Sequence, residues 1–109
     1  MNEITLREVC NGFGVSRHAV QGYEKAGLVS ATGKNKRGHL LYDDNSQERI
    51  RKIKIFQEMG FSIKEICGII DAPNHIIKKA LEDRIEKLKE DSVHTELMIQ
   101  RAHDMLKVL

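Results

Sequence analysis

The sequence predicts the all-α fold class, mainly helical with one small two-stranded wing, and three observations support that prediction. Amphipathic segments with helix-capping signals fill most of residues 5–73. A basic, glycine-bearing stretch that alternates like two short strands interrupts them between residues 29 and 42. Residues 75–109 contain neither proline nor glycine, and their apolar side chains follow a seven-residue register. We therefore expect one small domain over residues 1–73 and one long helix over residues 74–109.

The first predicted helix begins with a capping box. Thr5 can accept from the first turn while Glu8 reaches back, and Ile4 can pack onto Val9 as a hydrophobic staple. We expect this helix to end near Asn11–Gly12.

The second predicted helix lies within the stretch VSRHAVQGYEKAGL, residues 15–28. Ser16 can cap its start, and Gly27 can end it in a left-handed turn that folds Leu28 back onto Tyr23. Helical spacing turns Ala19, Val20 and Tyr23 inward. The outward face then carries Arg17, His18, Gln21 and Lys25. A short helix that follows another through a glycine-bearing turn is what a DNA major groove accepts.

Residues 29–42, VSATGKNKRGHLLY, predict a hairpin wing beside this helix-turn-helix. Its loop carries three positive charges, on Lys34, Lys36 and Arg37. The charge distribution agrees with that placement, because residues 1–54 have a net charge of +4 and residues 55–109 a net charge of −2. This winged helix-turn-helix predicts an anionic partner for the first half of the chain.

A helix pair is expected after the wing. Asp43 or Asp44 can cap the first of these helices, and Ser62 with Glu65 forms a capping box for the second. The inward residues of the first are Ile50, Ile53, Phe56 and Met59, and its outward face carries Arg49, Arg51, Lys52 and Lys54. The inward residues of the second are Ile63, Ile66, Cys67 and Ile70. Cys67, like Cys10 in the first helix, is therefore interpreted as a reduced core residue.

We expect Pro73 and Asn74 to stop the preceding helix and to cap a long one that follows. This long helix cannot bury its whole apolar seam on the small domain, because it extends too far from it. A second copy of the same helix is the simplest partner. The proposed dimer interface consists of Leu81, Ile85, Leu88, Ser92, Thr95, Ile99, Ala102 and Leu106, with Leu109 at the end of the register. The alternative is a helix that packs back on its own domain.

The sequence does not support other classes of protein, such as enzymes, metal-binding proteins or membrane proteins. There is no nucleophile with a base, no paired carboxylates and no phosphate loop, so we expect no enzyme. Cys67 and His75 would make only a partial metal pair, and we expect no metal and no cofactor. No apolar run is long enough for a membrane span and the start lacks signal-peptide features, so we expect a cytoplasmic protein without a membrane partner.

The order of elements and three motifs resemble the MerR family of transcription regulators over essentially the whole chain. The motifs are Tyr23-Glu24 before Gly27-Leu28, Tyr42 at the end of the wing, and Gly60-Phe61-Ser62 before Glu65-Ile66. The resemblance implies a homodimer whose long helices pair antiparallel on an inverted-repeat operator in double-stranded DNA. It also implies a promoter that is bent and untwisted, with RNA polymerase as a further partner.

The residues assigned to DNA contact are Arg17, His18, Gln21, Tyr23, Lys34, Lys36, Arg37 and His39. Two positions depart from the family pattern, because Gln21 and Leu40 stand where the family usually has arginine. The rival hypothesis is a MerR-like protein-interaction module of the chaperone-modulator type, which such substitutions would suit. The basic wing favours DNA over that alternative.

Overall fold

The computed structural model describes residues 3–109, and these residues form five helices and three short strands. In chain order the elements are β1 Ile4–Thr5, α1 Leu6–Phe13, α2 Arg17–Lys25, β2 Gly33–Lys34, β3 Leu40–Tyr42, α3 Asp44–Glu58, α4 Ile63–Ile69 and α5 Asn74–Lys107. The chain divides into two compact units, one that ends at Asp71 and one from Ala72 to Leu109. The mainly helical fold with a hairpin wing is confirmed.

The sheet has three strands in the described residues, whereas the sequence predicted two. The order is β1-β3-β2, with both pairs antiparallel. Ile4 lies opposite Tyr42, and Gly33 lies opposite Leu41. The predicted wing strands correspond to β2 and β3, and the additional strand comes from the residues before α1. The central strand β3 has two edges that need hydrogen-bond partners, and the Ile4–Thr5 segment occupies the second one.

Local signals determine where the helices begin. The capping boxes of α1 and α4 are both present, with Thr5 and Ser62 accepting from the backbone of Glu8 and Glu65. Ser16 accepts from Ala19 at the start of α2. Of the two candidates for α3, Asp43 is the cap. The cap expected at Asn74 is wrong, because α5 begins at Asn74 after Pro73 and has no side-chain cap.

Glycines in the left-handed conformation follow α1 and α2. Gly27 has φ 77° and allows Leu28 N–H to donate to the Tyr23 carbonyl at 3.0 Å, as expected. Gly14, with φ 65°, ends α1 one to two residues later than the sequence suggested.

The core of the first unit lies between the helices and the sheet. Its fully buried side chains are Val9, Val20, Tyr42, Ile50, Ile53 and Ile66. Cys67 is not among them, because α4 and the residue after it bury Ile66, Ile69 and Ile70 and leave Cys67 exposed on the outer side of the helix. The prediction of a core cysteine is therefore wrong at this position, and Cys10 is half-buried.

The second unit is dominated by α5, whose 34 residues span about 50 Å. No residue described in this helix is buried. Ile85, Leu88, Ile99 and Leu106 each expose at least 44% of their surface. Leu81 is half-buried, and Ser92, Thr95 and Ala102 are exposed. No helix within residues 3–109 has both the length and the apolar character needed to cross a bilayer.

Candidate DNA-binding surface

Two buried tyrosines connect α2 to neighbouring elements by hydrogen bonds. The Tyr23 hydroxyl donates to Gln57 Oε1 of α3 at 2.6 Å, and the Tyr42 hydroxyl of β3 donates to Glu24 Oε1 of α2 at 2.6 Å. Burial raises the pKa of both hydroxyls, and for Tyr42 the hydrogen bond to Glu24 raises the pKa further. Both hydroxyls therefore stay protonated and serve as donors.

The C-terminal end of α2 has a third attachment. Arg49 Nε donates to the Leu28 carbonyl at 2.6 Å, and its two terminal nitrogens donate to the two carboxylate oxygens of Asp71 at 2.7 and 3.1 Å. The hydrogen bond from Arg49 lowers the pKa of Asp71. This arginine therefore satisfies a carbonyl just beyond the end of α2 and joins it to the last residue of the first unit.

An open cleft of about 610 Å³ lies between α2 and the wing. The side chains and backbone that line it are Thr5, Leu6, Arg7, Arg17, Gln21, Gly38, His39 and Leu40. The structure thus brings together Arg17, Gln21 and His39 from the predicted set. It adds Arg7 of α1, which sequence reasoning missed, because nothing local indicates that the first turn of α1 borders the wing.

The wing tip is ordered by one asparagine. Asn35 Oδ1 accepts from the backbone N–H groups of Arg37 and His39, both at 3.0 Å. Gly38, with φ 81°, donates to the Asn35 carbonyl at 3.0 Å. The tight loop holds Lys36 and Arg37 on its outside, where both are exposed.

The other predicted contact residues fall into two groups. Lys34 at the end of β2 and His18 on the outer face of α2 are exposed but do not line the cleft. Tyr23 is only 2% exposed, and its hydroxyl is occupied by Gln57. We therefore leave Tyr23 out of the DNA-contacting set, because a buried ring cannot reach a base edge.

Several cations expected on the outer face of α3 have structural partners instead. Lys54 Nζ donates to the Phe13 carbonyl at the end of α1 at 2.6 Å. Arg51 lies 4.9 Å from the centre of the Phe13 ring and pairs with Glu48 at 2.7 Å. These side chains, together with Arg49, hold the helices of the first unit together. Within residues 3–109, no three His, Cys, Asp or Glu side chains converge as metal ligands.

A capped helix-turn-helix with a basic wing and a cleft between them defines a winged helix-turn-helix of the kind found in transcription regulators. The family model described as "MerR HTH family regulatory protein" matches residues 4–72. The chain belongs to the MerR family.

Three known proteins illustrate the similarity. Nodulation protein NolA of Bradyrhizobium diazoefficiens is 29% identical over 100 residues, which cover 92% of this chain and 42% of NolA. The chain therefore spans less than half the length of that relative.

The N-terminal part of the Bacillus subtilis multidrug transporter activator, MtaN, superposes with a TM-score of 0.79 and 30% identity, covering 94% of this chain and 97% of MtaN. HiNmlR, a MerR family regulator lacking the sensor domain, has been solved bound to promoter DNA. It superposes with a TM-score of 0.54 and 19% identity, covering 97% of this chain and 80% of HiNmlR, which shows a shared fold.

Proposed function

We propose that this chain binds double-stranded DNA as a homodimer and serves as the operator-binding part of a transcription regulator. The observation that carries the proposal is the cleft, which places Arg17 and Gln21 of α2 beside His39 of the wing. Arginine and glutamine are side chains that read base edges in a major groove, and the exposed face of α2 supplies the element that such a groove accommodates. The proposed place of action is the cytoplasm.

The wing supplies the sequence-independent part of the affinity in this proposal. Lys34, Lys36 and Arg37 are exposed on one hairpin, and contacts from such cations to phosphate release condensed counterions. Arg7 of α1 lines the neighbouring cleft and adds a fourth cation to these three. The wing cations thus position the duplex, whereas Arg17 and Gln21 discriminate between sequences.

The homodimer is supported by the exposure of α5. In a two-stranded coiled coil, the partner helix covers the apolar residues of a seven-residue register. Ile85, Leu88 and Ile99 follow that register and are all exposed in the single chain. Thr95 Oγ1 donates to the Asp91 carbonyl of its own helix at 2.8 Å, so the hydroxyl proton of this polar seam residue has an acceptor without the partner helix. Antiparallel pairing would place two DNA-binding units on an inverted repeat, since a two-fold dimer matches a two-fold operator.

Regulation in this proposal follows from deformation of the promoter. Two units joined through α5 could bend and untwist the DNA between their half-sites, at an energy that depends on the sequence deformed. RNA polymerase would then engage the realigned promoter.

The second candidate function is a protein-interaction module without DNA binding. One observation favours it: Leu40, an apolar residue, lines the cleft beside Gln21. Apolar surface suits a protein partner better than a phosphate. The exposed Lys34, Lys36 and Arg37 oppose this candidate, because charged residues are depleted from the centre of protein interfaces.

The test is selection from a random duplex library, followed by fluorescence anisotropy on the recovered sequence and on random-sequence duplex. We expect an inverted repeat, and we expect Arg17→Ala to reduce the discrimination between the two duplexes by about 1–3 kcal/mol. Lys25→Ala is the matched control, because Lys25 is an exposed cation of α2 that does not line the cleft. Failure to recover any sequence would favour the interaction module, and an equal reduction in affinity for both duplexes would make Arg17 a phosphate contact.

A further inference from the structure

A carboxylate on the proposed DNA-reading helix requires an explanation. Glu24 lies in the last turn of α2, where the negative end of the helix dipole disfavours another negative charge. Duplex phosphates would repel the same charge. The Tyr42 hydroxyl donates a 2.6 Å hydrogen bond to this carboxylate, and this hydrogen bond offsets part of the electrostatic cost.

The other end of this hydrogen bond belongs to the sheet. Tyr42 is fully buried and lies at the end of β3, the central strand, which pairs with β1 and β2. Its neighbour Leu41 lies opposite Gly33 in the wing hairpin. A displacement of Tyr42 would therefore move the strand from which the wing extends, because antiparallel pairing couples the strands residue by residue.

We propose that the Glu24–Tyr42 hydrogen bond sets the spacing between α2 and the wing, so that both residues position the DNA-binding elements without touching DNA. This inference rests on the proposed function. The cleft has α2 and the wing as its two walls, and it can fit the shape of a duplex only if the distance between these walls is fixed. A buried hydroxyl donor and a side-chain acceptor on α2 supply that constraint at one point.

The chain offers a matched comparison for this role. Tyr23 is also buried and also donates at 2.6 Å, but its acceptor, Gln57, lies on α3 and not on the wing. Tyr42→Phe and Tyr23→Phe each remove one hydroxyl from a buried ring. The first breaks the link between α2 and the wing, and the second leaves that link intact.

The experiment measures affinity by anisotropy, at a temperature where circular dichroism shows each variant folded. The probes are labelled random-sequence duplex and the duplex recovered by selection. We expect Tyr42→Phe to weaken binding at least about fivefold and Tyr23→Phe to stay within about twofold. Glu24→Gln keeps an acceptor and removes the charge, so it should bind at least as well as the wild type. Glu24→Ala removes the acceptor of the same hydrogen bond. The double variant with Glu24→Ala and Tyr42→Phe should therefore bind DNA with the same affinity as Glu24→Ala alone.

A second readout does not depend on DNA. Backbone ¹⁵N relaxation of residues 33–41 should show lower order parameters in Tyr42→Phe and Glu24→Ala, and unchanged ones in Tyr23→Phe and Glu24→Gln. Unchanged wing order in Tyr42→Phe and Glu24→Ala, or an equal reduction of affinity in both tyrosine variants, would overturn the inference and leave the proposed function standing. A wild type that binds neither duplex would overturn the proposed function, and wing order alone would then decide whether the link holds the wing.

Discussion

The two compact units bury their apolar residues to very different extents. The unit that ends at Asp71 encloses a core, with residues such as Val9, Ile53 and Ile66 at 0% exposure. The unit from Ala72 onward leaves large apolar residues such as Ile99 and Leu106 more than half exposed. The first unit has the interior of a small folded domain, whereas the second has an exposed apolar stripe of the kind that marks an interaction surface.

This difference shows that composition alone does not tell where stability resides. Both units contain helices with apolar residues at regular spacing, but only in the first do several short elements face one another. A single helix of 34 residues has no second layer within its own unit and gains little from propensity alone. We therefore expect the first unit to depend on its own packing and the second on protein concentration.

The largest expected effect is on the core of the first unit. Ile53→Ala should lower the free energy of unfolding by about 2–5 kcal/mol, because it leaves a cavity at a fully buried position of α3. Ile55→Ala is the control, since Ile55 is 50% exposed on the same helix and should change stability by less than about 1 kcal/mol. Urea unfolding measures both, and equal destabilisation would show that the first unit lacks the specific core described above.

The second effect concerns α5. Ile99→Asp should weaken dimerisation by about a hundredfold or more, because a charge without a partner is costly in an apolar seam. Arg101→Asp introduces the same residue on the opposite face of the helix and should leave the dimer intact. Sedimentation equilibrium distinguishes them, and a dimer that survives Ile99→Asp would remove the seam as the proposed interface.

The smallest effect concerns the ion pair at the end of the first unit. Arg49 lowers the pKa of Asp71 below its ordinary value of 3.8, so the pair stabilises the fold above that pH and ceases to do so as the pH falls through the lowered pKa. Asp71 is 73% exposed, and solvent screening keeps the contribution below about 1 kcal/mol. Urea unfolding of Asp71→Asn should therefore show a small destabilisation at pH 7 that shrinks below pH 3.8. A destabilisation that persists unchanged in acid would contradict the electrostatic origin.

Local interactions account for most of what the sequence predicted. The Thr5–Glu8 and Ser62–Glu65 capping boxes and the Gly27 turn depend on residues within five positions of one another, so their signals can be read directly. The third strand, Ile4–Thr5, was missed because its partner Tyr42 is distant in sequence.

The attachments of the candidate site were missed for the same reason. Tyr23 and Gln57 are 34 positions apart, and Lys54 and Phe13 are 41 apart. Arg17, Gln21 and His39 could be nominated singly from exposure and charge, but their meeting in one cleft depends on how the sheet places the wing. Periodicity along a helix does not contain that information.

The most direct test of the central proposal is the salt dependence of duplex binding by the wild type and by the triple variant Lys34→Ala, Lys36→Ala and Arg37→Ala. If the first unit binds DNA through its wing, log affinity should fall steeply with log salt in the wild type. The triple variant should weaken binding to both the selected and the random duplex, and should flatten the slope by about 0.9 for each phosphate that the wing no longer neutralises. Unfolding and sedimentation should show the variant folded and dimeric, because its substitutions lie on exposed wing positions. A wild-type slope near zero would contradict DNA binding and favour the protein-interaction module.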